Sequence, residues 1–226
     1  MKTSEKIRKR IIEDKHLYFA NDNISNYIEQ GELPLLVNEA TEAFESVLDA
    51  LVIDKETDPN SKDTAKRLAK MYIYELFEGR YSPRPDITAF PNGEYDGMLV
   101  IRAELNSVCS HHHQPVTGVA YIGILPSKNV IGLSKYIRLA QWCARRGTLQ
   151  EELTLDICKE VMGAAETPDV AVHIGAIHGC CSNRGVMAHS SLTQTTVLRG
   201  QFKEADVKAE FFNKIALQKT TNQGVY

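Results

Sequence analysis

The chain has 226 residues, 43% hydrophobic and 24% charged, with a formal net charge of −3. That balance fits a well-buried globular domain with an appended helical arm, and it excludes non-specific attraction to nucleic acid or to an anionic membrane surface. No apolar run approaches the roughly 20 residues of a membrane span, so any strongly basic surface has to be a local pocket.

The start, MKTSEKIRKRIIEDKH, carries positive charge with no apolar core behind it and is not expected to be a secretory signal. Residues 1 to about 31 are polar and charge-rich and read as a frayed or weakly docked arm. From Leu36, the apolar positions Ala40, Ala43, Phe44, Val47, Leu48 and Leu51 follow a helical stripe. Asp58-Pro59-Asn60-Ser61 supplies turn chemistry, and a second helix runs from about Asp63 to Phe77, stopping near Gly79. Tyr81 to Gly97 holds three prolines and two glycines and reads as an irregular connector.

After the connector the pattern changes. Met98–Leu105 and Val116–Leu125 are rich in Val, Ile and Tyr and read as strands. Ser134 is placed to N-cap a helix reaching Arg146, whose terminal Arg145 and Arg146 read as a solvated end that favours the helix dipole. Thr148 and Glu151 form a capping-box pattern for the next helix, with Leu149, Leu153, Ile157 and Val161 as its apolar edge. Asp169–Ile177 and Thr193–Phe202 read as two more strands. The second half is thus ββααββ with short links, which predicts an α+β fold with a mostly antiparallel sheet. The expected division is an N-terminal arm and helix over 1–60, a helix and connector over 61–95, and a catalytic domain over 96–226.

The chemistry concentrates in two clusters. Cys109-Ser110-His111-His112-His113 offers preferred zinc ligands. On an extended strand Cys109, His111 and His113 share a face; in a turn Cys109 and His112 converge instead, and spacing alone does not choose. His178 and Cys180, two apart at a strand end, can face one pocket. The plainer reading of a polar loop and core thiols weakens once two such clusters stand at two strand ends. Five cysteines, an odd number, point to reduced thiols in the cytoplasm and leave metal binding open. Cys143 and Cys158 read as core residues within helices.

Cys109-x-His111-His112, Val130-Ile-Gly-Leu-Ser-Lys135, Arg138, Leu149-Gln-Glu151 and His178-x-Cys180-x-x-x-Arg184-Gly185 together resemble GTP cyclohydrolase I, in that family's order and approximate spacing. Asp63-Thr-Ala-Lys-Arg67-Leu-Ala-Lys70-Met-Tyr72 resembles the helix preceding the family's catalytic domain, and the likeness covers about residues 36–203. The resemblance implies a tunnelling fold, with the helices on one face of the ββααββ sheet and further helices N-terminal to it. It also implies a ring-shaped homodecamer with active sites at subunit interfaces.

Carried over residue by residue, it implies zinc held by Cys109, His112 and Cys180, with one position left for water. It gives acid/base roles to His111 and His178, the latter near the ribose ring oxygen, and counts Ser134, beside the phosphate-binding residues, among the catalytic ones. Glu151 would read the guanine edge, with Gln150 next to it as a further substrate-binding residue. Lys135, Arg138 and Arg184 would hold the triphosphate, with Arg67 and Lys70 as weaker candidates contributed from another subunit. The implied reaction turns GTP into 7,8-dihydroneopterin triphosphate and formate, the first step of pterin synthesis. Three features depart from the pattern. Ser110 stands where the family usually has Glu, which removes a negative charge beside the histidines, and His113 and Cys181 are additional donors read as bystanders. Competing readings are a changed nucleotide such as dGTP, a 7-deazaguanine-pathway enzyme on the same fold, and a zinc-containing nucleotide-binding module without catalysis.

Overall fold

The structure, a computed structural model, describes residues 1–222. It divides into two compact units, residues 1–83 with 145–147, and residues 84–144 with 148 onward.

The first unit is helical: α1 (Thr3–Glu13), α2 (Glu32–Ala50), α3 (Thr64–Met71) and the short α4 (Glu78–Tyr81). The opening segment is a docked helix and not a frayed arm. Ile7 and Ile11, one helical turn apart, are buried against Ile24. Arg10 adds a paired guanidinium–carboxylate contact to the largely buried Glu32. Sparse isoleucines among charges hid this stripe from a reading by composition.

On α2 the near end of the predicted stripe is covered: Val37 packs with Ala69 and Ile73, flanked by Ala40 and Phe44. Val47 and Leu51 are exposed, because the eight-residue α3 is too short to cover a nineteen-residue helix. The predicted second helix continues beyond α3 through a wider turn over Tyr72–Leu76, closed by the Phe77 amide on the Tyr72 carbonyl (3.0 Å). Arg145 pairs with Glu78 (2.9 Å), and Arg146 is buried, so the expected solvated helix end is corrected.

The second unit holds a four-stranded antiparallel sheet in the order β2 (Leu99–Val108), β3 (Pro115–Ile124), β5 (Val170–His178), β6 (Thr193–Leu198). Two three-residue strands, β1 (Ala89–Pro91) and β4 (Asn129–Ile131), pair separately across the connector. α5 (Leu133–Ala144) and α6 (Gln150–Ala165) link the two halves of the sheet, completing the expected ββααββ unit. Both pack on one face. Ala120, Ile122 and Ile124 of β3 and Val170, Val172 and Ile174 of β5 point to that side, meeting Tyr136, Leu139, Ile157 and Val161. Cys143 and Cys158 are buried there, as the sequence suggests, and burial pushes the Cys158 thiol up to about 11.

The last predicted strand ends at Leu198 and gives way to a short 3-10 turn (Gly200–Lys203), then α8 (Ala205–Asn222). Phe202, Phe211 and Ile215 cover the opposite face of the sheet against Met98, Tyr121 and Ala171. Gly123 admits this helix: a Cβ there would stand 2.7 Å from the Phe211 ring. Sequence reading missed α8 because its buried positions are few and widely set among charges.

His173 lies under α8, buried, with Nδ1 2.9 Å from the Thr196 hydroxyl and its ring against Phe212 and Tyr121. Burial, and secondarily the Lys219 ammonium, hold its pKa below the ordinary value. The unfolded chain therefore binds this proton more readily than the folded one. The stability is fully present above about pH 6.5 and is lost as the pH falls through the depressed folded value. His173→Gln is expected to flatten the fall in denaturation midpoint between pH 7 and pH 5; an unchanged slope counts against this account.

Candidate active site

β2 ends at Val108, and Cys109–Gln114 forms the hairpin loop into β3. The Cys109 amide donates to the Gln114 carbonyl (3.0 Å) and the His113 amide to the Cys109 carbonyl (2.9 Å), with His113 left-handed at φ 50°. Of the two arrangements the sequence leaves open, the chain adopts the turn. Cys109 is buried at its root, Ser110 is half-buried, and His111, His112 and His113 are exposed.

The second cluster arrives through strand register. Val116 at the start of β3 pairs with His178 at the end of β5, so the chain leaving β5 emerges beside the hairpin. It turns at once into α7 (Gly179–Ser182), which carries Cys180 and Cys181. Cys180 packs against the buried cluster that contains Cys109, and Cys181 Sγ lies 3.9 Å from Cys180 Sγ. Burial first, then the neighbouring Cys109, pushes the Cys180 thiol up to about 11. A thiol whose ionisation is held back by burial and a neighbouring thiol is a donor that a cation relieves.

Just past α7, the Arg184 guanidinium donates to His112 Nε2 (3.0 Å). A guanidinium only donates, so Nε2 is the accepting, unprotonated nitrogen of His112 and is taken up by Arg184; a metal bound there would have to displace this contact. The donor set fits a soft divalent metal of the zinc type. Among the described residues, no group of three His, Cys, Asp or Glu side chains is placed to hold a metal ion, so the expected set Cys109, His112 and Cys180 is not gathered at one point.

The start of α6 forms a third side. The Thr148 amide donates to the Val108 carbonyl (3.1 Å), tying this helix to the root of the hairpin. The expected capping box is absent. Leu149 is the N-cap, no side chain caps the helix, and the Thr148 hydroxyl donates to the Leu149 carbonyl (3.1 Å). Glu151 is exposed in the first turn, where its charge opposes the lowering of the His178 pKa by burial. Gln150 is buried, with its amide oxygen 2.7 Å from His178 Nε2 and its nitrogen bonded to Ile174, Thr193 and Thr195. Thr154 and Thr195, which complete this network, went unnoticed in the sequence. The available signal was a threonine one turn after Gln150 on an otherwise apolar helix edge.

Ser134, Lys135 and Arg138 lie in the first two turns of α5; Ser134 is inside the helix, which starts at Leu133, and so is not its cap. Ser134 and Arg138 are exposed, and the Lys135 ammonium donates to the Asp86 carbonyl (2.8 Å). Arg67 belongs to α3 of the first unit, where it pairs with Asp63 (3.6 Å). No helix among the described residues is long and apolar enough to cross a membrane.

Comparison with known proteins gives consistent matches. The family described as GTP cyclohydrolase I matches residues 40–216. A GTP cyclohydrolase 1 of Aeromonas salmonicida is 41% identical over 170 residues, covering 74% of this chain and 78% of that protein. One of Shewanella loihica is 41% identical over 160 residues, covering 69% and 75%, and one of Aeromonas hydrophila is 39% identical over 170 residues, covering 74% and 78%.

Proposed function

Since the chain belongs to the GTP cyclohydrolase I family, we propose that it uses the site above to open the guanine ring of GTP, with zinc held by Cys109, His112 and Cys180. The observation that carries this reading is the register of β5 on β3, which gathers residues distant in sequence at one end of the sheet. Zinc, when bound, supplies a water acidic enough to act as hydroxide near neutral pH.

The protein's own residues do the rest. Glu151, exposed and without a capping duty, is available to accept two hydrogen bonds from the ring NH and exocyclic amine of guanine, a pattern adenine does not offer. Lys135, Arg138 and Arg184 supply positive charge for the triphosphate in a chain that is acidic as a whole, with Ser134 beside them and Arg67 as a contributor from another subunit. In this reading His111 protonates the imidazole nitrogen next to carbon 8 and His178 exchanges a proton at the ribose, since imidazoles transfer protons near neutral pH. Ring hydrolysis releases formate, and ribose opening and rearrangement give 7,8-dihydroneopterin triphosphate for pterin synthesis.

A homo-oligomeric ring, a decamer by family resemblance with active sites at subunit interfaces, is supported by exposed apolar side chains such as Val47, Leu51, Val186 and Leu192. Five free thiols agree with a cytoplasmic location.

Zinc-loaded protein incubated with GTP is expected to release one formate per GTP and to yield a pterin that fluoresces after oxidation. Tight GTP binding without formate would leave a nucleotide-binding module. Turnover of dGTP in preference to GTP would shift the substrate, and NADPH consumption without metal would move the chain to a different chemistry on the same fold.

A further inference from the structure

Gln150 is 3% exposed, and both ends of its amide are occupied within the protein. Its nitrogen lies 3.2 Å from the Ile174 carbonyl and 3.1 Å from the Thr193 carbonyl. Both carbonyls only accept, so the amide nitrogen must face them and the oxygen must face the other way. The threonines close the circuit. The Thr154 hydroxyl donates to the Gln150 main-chain carbonyl (2.6 Å), leaving its oxygen to accept from Thr195, also at 2.6 Å. The Thr195 oxygen then accepts from the Gln150 nitrogen (3.1 Å). The two hydrogens of the Gln150 nitrogen are shared among these three acceptors, and the Gln150 oxygen has one partner, His178 Nε2 at 2.7 Å. An amide oxygen only accepts, so Nε2 carries the hydrogen and Nδ1 is the unprotonated nitrogen of the neutral ring.

We propose that Gln150 is a positioning residue for His178: it fixes the ring's orientation and tautomer and leaves Nδ1 as the nitrogen turned to the substrate. This rests on the role proposed for His178 above, and it moves Gln150 from contacting substrate to acting through another residue. Such a residue costs turnover when removed and leaves substrate affinity in place.

Two variants and one measurement on the unaltered protein test it. Gln150→Met removes acceptor and donors at similar length; Gln150→Glu keeps an acceptor for Nε2 but loses the donors. In zinc-loaded protein, Gln150→Met is expected to lower kcat for formate release by about tenfold or more with KM for GTP changed less than about threefold, and Gln150→Glu to recover part of that loss. A rise in KM with kcat preserved would make Gln150 a substrate contact. Unchanged kcat with a lowered melting temperature would make it purely structural, and either result overturns the proposal. Nitrogen-15 shifts of labelled histidine report the tautomer without any turnover. His178 is expected to show a protonated Nε2 and a bare Nδ1, and the opposite pattern overturns the assignment even if GTP is a substrate. Absence of formate release by wild-type protein that shows the expected tautomer would instead sink the functional reading and leave the geometry standing.

Discussion

Glu151→Ala is expected to lower kcat/KM for GTP by about two to four orders of magnitude while barely moving the melting temperature. Hydrogen bonds to a charged group are worth about 1.5–3 kcal/mol each, and a guanine edge held by one carboxylate loses two of them, about 3–6 kcal/mol in all. The stability side is small because Glu151 is exposed and no side chain caps the helix. A helix-capping residue would instead cost about 1 kcal/mol of stability and leave turnover alone. Formate release at several GTP concentrations, with a thermal melt of the same preparation, separates the two. Near-normal kcat/KM with a lowered melting temperature would remove Glu151 from the site.

The second large effect concerns metal. Cys180→Ser is expected to lose most of its zinc and nearly all turnover, whereas Cys181→Ser retains both. Outer-shell partners of a metal ligand already cost about 10–100-fold in affinity when removed, and a ligand itself costs more. The comparison is demanding because the two sulfurs are adjacent in sequence and 3.9 Å apart. Cys180 is distinguished by packing against the buried cluster that contains Cys109, which Cys181 does not join. Metal analysis of both variants after removal of loosely bound ions decides the matter, and reversed zinc contents would reassign the second cluster to Cys181.

The strands were legible because Val, Ile and Tyr recur in short runs bounded by turn residues, and the ββααββ order followed from their spacing. The first and last helices were not, for a shared reason. Ile7 with Ile11, and Phe211 with Ile215, are single i,i+4 pairs in charged surroundings, and their value appears when a tertiary partner is known. The capping pattern at Thr148 misled because a local signal was outcompeted: Thr148 is buried, and its amide is committed to Val108 across the unit. The clusters around Cys109 and Cys180 could be read as metal-ligand chemistry, yet the turn that selects among the histidines is set by main-chain hydrogen bonds that side-chain spacing does not encode. Gln150 was legible as a motif residue. Its partners were not, because Thr195 reaches it from a strand more than forty positions away.

The pairing of Val116 with His178 also bears on how the protein is made. Cys109 and Cys180 lie about seventy residues apart with two helices between them, so their meeting closes a long loop and belongs to the slow, non-local part of folding. A one-residue slip of β5 would bring Ile177 to the position of His178 and turn every side chain of the strand to the wrong face. An ion captured by the two sulfurs would therefore act as a checkpoint during maturation: it rewards the chain in which both helices have docked and the strands are aligned, and withholds its binding energy from misaligned ones.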